Sequence, residues 1–319
     1  MMLHGRLMSV LYLAAICFAP SLPFAERASS QKPQLRKIAD QDLADSLLEL
    51  KNKLAKQRAS TVRENGSPAI DEGRCLSEAA IELRMAVLRA VSQVAVEYGA
   101  CRNPAFWTER EGVFFPNSTV SPCDAMSDVG DNRTDETETK RLDGIYCTSL
   151  AQILLMQGHL AIASSAQRLA WDTEWRQLSA EGNVLPNDIP GVGETRFWVR
   201  GHAEETRDGG TLGYLPSDLL PGDNIYIENP YFTDDLARQM EEQKSERYRG
   251  EEGSNVFYLG AGPNNEGLLV HPFSHEVYTL DQYRRHMIEE WQSIIDTAGG
   301  KAHPSMFRIT SKRSPVLTP

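Results

Sequence analysis

Gly144-Ile-Tyr-Cys-Thr-Ser-Leu-Ala-Gln-Ile-Leu-Leu-Met156 places a cysteine, Cys147, at the start of an apolar helix. Unpaired backbone N–H groups and the positive end of the helix dipole gather at such a position, and both favour a thiolate over a thiol. The same pattern also suits a structural cysteine buried in a core. Segments with helical spacing precede this helix and segments with alternating polarity follow it, so the chain is expected to be α+β. The rest of the sequence decides between the two roles for the thiol.

The chain has 319 residues, 41% of them hydrophobic and 24% charged, with a formal net charge of −11. That length permits a real core in one or two domains. The acidic balance and the lack of a basic run argue against a nucleic-acid binder, which needs clustered Lys and Arg to neutralise phosphate. Arg6, the apolar block Leu7 to Ala19, Pro20 and then Ser21-Leu-Pro-Phe-Ala25 before Glu26 form the pattern of an export signal. The block is short for a membrane span and no later segment is continuously apolar, so the mature form is expected not to cross a membrane. Retention as a signal anchor is the alternative. Cys17 falls within the signal, and Ile16 before it does not fit lipoprotein processing.

Export permits disulfides among Cys75, Cys101, Cys123 and Cys147. Glu78 to Tyr98 reads as one helix with Gly99 as its stop, which would hold Cys75 and Cys101 about 35 Å apart. Cys101 with Cys123 is therefore the preferred pair, and Cys75 with Cys123 the second choice. Ahead of that helix, Leu35, Ile38, Leu43, Leu47, Leu50 and Leu54 mark a charged helix with a narrow apolar face, broken at Gly66-Ser-Pro68. Beyond it come an aromatic stretch, Asn103 to Pro116, and an acidic segment, Asp124 to Lys140, expected as an exposed loop. Trp171 to Thr211 shows little periodicity. Strands are expected over Leu219 to Glu228, Asn255 to Gly260, Gly267 to His271 and Ser305 to Ile309, with a charged linker from Asp234 to Glu252 and a helix from Leu280 to Ile295.

A cysteine nucleophile commonly takes a histidine as its base. His159 shares the cysteine's helix about 18 Å of rise away, too far to reach. His202 and His286 read as surface residues. His271, ending a strand, and His275 beyond it are the better candidates, because a strand packed on the cysteine helix can deliver a side chain to the thiol. A cysteine helix followed by a strand-borne base is the order of papain-like cores. No Cys-x-x-Cys pair is present, and Pro272 argues against a helix that would align His271 with His275 on a metal, so neither metal nor cofactor is expected.

Five segments, in order, resemble the bacterial spore-coat type of protein-glutamine gamma-glutamyltransferase, a calcium-independent transglutaminase with a papain-like core. They are the helix, Tyr-Gly and Trp pattern of Ile81 to Trp107, the helix opened by Cys147, and Gly222-Asp-Asn-Ile-Tyr-Ile-Glu-Asn-Pro-Tyr-Phe232. Arg249-Gly-Glu251 with Asn255-Val-Phe-Tyr-Leu-Gly260, and Pro304-Ser-Met-Phe-Arg-Ile309, complete the set. The resemblance implies Cys147 as nucleophile, Glu251 as the catalytic carboxylate and His271 as the active-site histidine. Two departures stand out. Tyr146 occupies the place of a Glu before the cysteine, and Glu252-Gly-Ser254 is inserted after Arg-Gly-Glu, so Glu252 competes with Glu251 for the role. The implied architecture is a nucleophile-bearing helix packed on a small antiparallel sheet with N-terminal helices added. It divides the chain into a signal at 1–25, a polar leader and helix at 26–70, one papain-like domain at 71–311 and a tail at 312–319.

The expected activity is the joining of a protein glutamine donor to a lysine acceptor outside the cytoplasm, in the periplasm or beyond the cell. A papain-like peptidase or amidase acting on cell-wall peptides, and an inactive binding module, are the alternatives. Transfer requires that water be kept from the thioester. Trp107, Trp171, Trp175 and Trp198 are candidates either for that cover or for the core.

Overall fold

The structure is a computed structural model and describes residues 35–61, 76–110, 113–134, 144–180, 197–204, 212–233, 236 and 252–317. The export signal, the Gly66-Ser-Pro68 break, Cys75, most of the charged linker and Glu251 lie outside these residues.

Strand β1 (Arg36–Lys37) leads into helix α1 (Asp40–Thr61), whose Leu50 and Leu54 are buried as the apolar stripe requires. Ser77 caps α2 (Glu78–Gln93) by accepting the Ala80 N–H at 3.1 Å. This helix ends earlier than its sequence suggests. Val94 turns to extended backbone (ψ 122°), and Gly99, at φ 75°, serves a later turn instead of the helix stop. The short strand β2 (Ala100–Cys101) follows, then the aromatic stretch folds as a hairpin of β3 (Trp107–Arg110) and β4 (Val113–Pro116).

The segment expected as an exposed loop instead contains a short helix, α3 (Pro122–Met126), and a strand, β5 (Asp131–Thr134). Ser121 and Pro122 supply the helix start, and Ala125 and Met126 are buried. Cys123 is a free, buried thiol whose Sγ faces the Arg168 carbonyl at 3.5 Å, so neither expected disulfide forms. Burial, and then the Asp172 carboxylate, push that thiol up to about 12, which makes it inert.

Strand β6 (Gly144–Ile145) leads into α4 (Cys147–Ile162), with Tyr146 at the N-cap and Leu150, Ile153, Leu154 and Leu160 buried. The predicted helix is present with its cysteine at the first position. Gly158 lets α4 approach α2 closely, since a Cβ there would lie 2.3 Å from Val87 Cγ2. The stretch with little periodicity opens inside a further helix, α5 (Ser165–Ala180), which packs Trp171 and Trp175 around Phe197. Both indoles, with Trp107 and Trp198, are buried in the core, not laid over a site.

The remaining strands are β7 (Trp198–His202), β8 (Asn224–Glu228), β9 (Gly253–Ala261), β10 (Gly267–Val270), β11 (Glu276–Thr279) and β12 (Ile309–Pro315). Seven strands pair antiparallel in the order β1-β11-β10-β9-β8-β12-β7. The expected single helix after β11 is two, α6 (Leu280–Glu290) and α7 (Gln292–Thr297), because the backbone kinks at Trp291. The presumed tail is a correction as well: residues 312–315 belong to β12, which lies between β8 and β7. Ser305 and Met306, expected in a strand, instead lie in a single 3-10 turn, Pro304–Met306, before it.

The centre of the sheet is buried on both faces, and strand periodicity sorts its side chains. Phe257 and Leu259 of β9 join α1, α2 and α4 in one core, while Val256 and Tyr258 join α6 in the other. A buried ion pair, Arg84 to Asp223 at 2.7 Å, ties α2 to the turn before β8. The chain is thus α+β, with a central antiparallel sheet and the cysteine helix on one of its faces.

Candidate active site

The site is built where the N-terminus of α4 meets β9. Asn255 shares the face of β9 that carries Phe257 and Leu259, so its amide points toward α4. Asn255 Nδ2 donates to Thr148 Oγ1 at 2.9 Å and lies 3.6 Å from Cys147 Sγ. The thiol is half-buried and free. Asn255 Oδ1 in turn accepts from Arg313 Nη1 of β12 at 2.9 Å, and the same Nη1 donates to Asn224 Oδ1 of β8 at 2.9 Å. One hydrogen-bond network therefore runs from the sulfur through β9 to β12 and β8.

Tyr226 stands opposite Asn255 in the β8–β9 pair. Its ring lies against Gly253, where a Cβ would come within 2.4 Å of the Tyr226 hydroxyl. Burial raises the Tyr226 pKa most, and the charges of Glu252, Cys147 and Glu228 raise it further against the opposing pull of Arg313. Tyr226 is thus the group that senses both the cysteine and a carboxylate of the inserted Glu252-Gly-Ser254. Glu252 is exposed, and its carbonyl accepts the Asn229 N–H at 2.9 Å. On the opposite face, Tyr283 of α6 bonds Ser254 Oγ at 2.6 Å, and burial, with smaller effects from Glu290 and Cys147, raises its pKa.

Of the residues singled out in the sequence, Cys147 is at this meeting point and Glu251 lies outside the described residues. His271 directly follows β10, and its ring neighbours are Phe273 and Tyr283. Its Nδ1 accepts the Ser274 N–H at 3.3 Å, and burial pushes its pKa down to about 4, leaving a neutral imidazole. His271 makes no hydrogen bond to Cys147; the polar partner of the sulfur among the described residues is Asn255. His275 adopts φ 58° and packs by the Val94 backbone, and His286 pairs with Glu290 at 3.2 Å. Sequence reasoning missed Asn255, Tyr226 and Arg313 as site residues. The signal for the first two was their alternation on strands that were themselves expected.

The rings of Tyr146, the residue before Cys147, Tyr98 and Phe273 form an edge-to-face row, with centroids 5.2 Å and 5.3 Å apart. A cavity of about 430 Å³ lies elsewhere, between α1 and the far end of β9. Its Asp42 and Glu49 carboxylates are already bound by the Ala39 and Ala261 N–H groups. Among the described residues no cluster of ligands that could hold a metal ion is present, and no helix is long and apolar enough to cross a membrane. Comparison of the chain with protein-family models, curated proteins and solved structures finds no match.

Proposed function

We propose that this chain is an exported protein-glutamine gamma-glutamyltransferase with a papain-like core. The observation that carries the reading is the placement of Cys147 at the first turn of α4 against β9, with the strand beginning one residue after Glu252. The resembling segments from Ile81 to Ile309 are the second support. In this reaction the Cys147 thiolate attacks the carboxamide carbon of a protein glutamine. The C–N bond breaks, and a carboxylic acid at the start of β9 protonates the departing ammonia. A lysine amine then attacks the thioester, its proton passes to the same carboxylate, and the C–S bond breaks to release the isopeptide and regenerate the thiolate.

For the carboxylate we take Glu252 in place of the expected Glu251, which lies outside the described residues; the support is that the Glu252 charge acts on Tyr226, on which Cys147 also acts. His271 is kept in a supporting role through Tyr283. Cover that holds water from the thioester is assigned to Tyr146, next to Cys147, whose ring is packed on Tyr98. Incubating the mature protein with a glutamine-rich protein and a labelled primary amine tests the reading. Label should enter the donor protein, and Cys147→Ala should abolish it. Peptide cleavage without incorporation would replace transfer by hydrolysis, and inertness from pH 5 to 9 would defeat both.

A further inference from the structure

Arginine has donors and no acceptor, so the atom of Asn255 that faces Arg313 must be its amide oxygen. The 2.9 Å contact from Arg313 Nη1 to Asn255 Oδ1 therefore fixes which way the amide points. Its neighbour in the network is fixed too, since Asn224 Nδ2 donates to the Val256 carbonyl at 3.1 Å and leaves Asn224 Oδ1 for Arg313. A flipped Asn255 would turn its NH₂ onto the guanidinium donors and its oxygen onto the sulfur. In the observed orientation the NH₂ has two hydrogens and two acceptors, Thr148 Oγ1 at 2.9 Å and Cys147 Sγ at 3.6 Å. Asn255 is 1% exposed and Arg313 9%, so water does not compete for this arrangement.

We propose that Asn255 is a catalytic residue that donates its amide N–H to the sulfur of Cys147, and that Arg313 is the positioning residue that holds it in that orientation. This rests on the reading of Cys147 as the nucleophile, and it adds a partner that stays a donor at every pH. The first turn of α4 carries no acidic residue. Among the described residues, Tyr226 of β8 and Tyr283 of α6 interact electrostatically with Cys147, and Glu252 before β9 and Arg313 of β12 act on Tyr226. None of the four changes the donor character of the amide.

Alkylation of Cys147 by iodoacetamide tests the proposal apart from any transfer activity. The thiolate sulfur forms the S–C bond and iodide leaves, and the modified peptide is quantified by mass spectrometry from pH 6 to 9. Asn255→Asp keeps the size of the side chain and its contact with Arg313 but presents an oxygen to the sulfur. It should slow alkylation at pH 7 by about tenfold, the scale of one lost charge-assisted hydrogen bond, and move the rate profile to higher pH. Arg313→Met should slow it by a smaller factor, and Arg313→Lys, which restores a donor to Oδ1, should recover part of the rate. Each variant is compared at matched far-UV circular dichroism and melting temperature. An unchanged alkylation profile in Asn255→Asp overturns the proposal even if amine transfer is present. Slowed alkylation in a protein that transfers no amine supports it while defeating the transferase reading.

Discussion

At the residue scale the open choice is between two adjacent carboxylates. The phenol end of Tyr226 lies against Gly253, a position that no larger residue can occupy without displacing the ring, so the start of β9 is held beside the hydroxyl. The Asn229 N–H holds the Glu252 carbonyl at 2.9 Å in the same place. Glu252 is exposed in the free protein, and a bound substrate would supply the burial that lifts a carboxylate toward neutral pH. Glu252→Gln should therefore lower kcat for amine incorporation by about 10² to 10⁴, while Glu251→Gln should leave it near wild type. Steady-state kinetics of the two variants decide the matter; the reverse order would return the role to Glu251. The residue types were legible from the motif, but the three-residue insertion hid their order, because spacing alone does not say which side chain turns inward.

At the element scale α4 was the most legible part of the chain, since its apolar positions repeat at helical spacing without interruption. His159, set aside in the sequence for its distance from the thiol, has a structural role in this helix: its Nε2 lies 2.7 Å from the Phe197 carbonyl, which only accepts, so Nε2 carries the proton. Burial pushes its pKa down to about 4 from 6.5. The unfolded chain thus takes up a proton that the folded chain refuses between those values. Stability is complete above about pH 6.5 and falls by about 3 kcal/mol as pH drops through the window. His271, also lowered to about 4, acts with the same sign. Urea unfolding between pH 7.5 and 4.5 should show this loss, and His159→Gln, which keeps a donor but cannot titrate, should flatten the slope by about one proton's worth. An identical slope in the variant would exclude His159 as a source. Helix α5 was not legible, because its exposed face is polar and the Trp171 and Trp175 pair was read together with the Gly- and Pro-rich residues that follow. The kink at Trp291 was invisible for the opposite reason: Tyr283, Met287, Trp291 and Ile294 keep helical spacing across it.

At the scale of the whole molecule, the sheet is a two-faced core in which β9 divides its side chains between helices on either side. The strands β8, β9 and β10 were legible because alternation and apolar runs coincide there. β12 was not, since Ile309-Thr-Ser-Lys-Arg-Ser-Pro315 carries few apolar residues and reads as a polar tail. Its burial is bought by pairing: Ser311, Arg313 and Ser314 are buried, and Arg313 finds acceptors in Asn224 of the adjoining β8 and Asn255 of β9 beyond it. Composition cannot announce such a strand, because its acceptors are supplied by residues some 60 to 90 positions away. Removing residues 312–319 would strip β7 of its partner and expose the edge of β8, leaving buried backbone groups unpaired. A chain ending at Ser311 should therefore lose its cooperative urea transition and its near-UV signal, whereas one ending at Leu317 should unfold like the full chain. If the shorter chain kept the full-length midpoint and m-value, β12 would not be an interior strand, and the orientation of Asn255 at the thiol would have to be set by some other group.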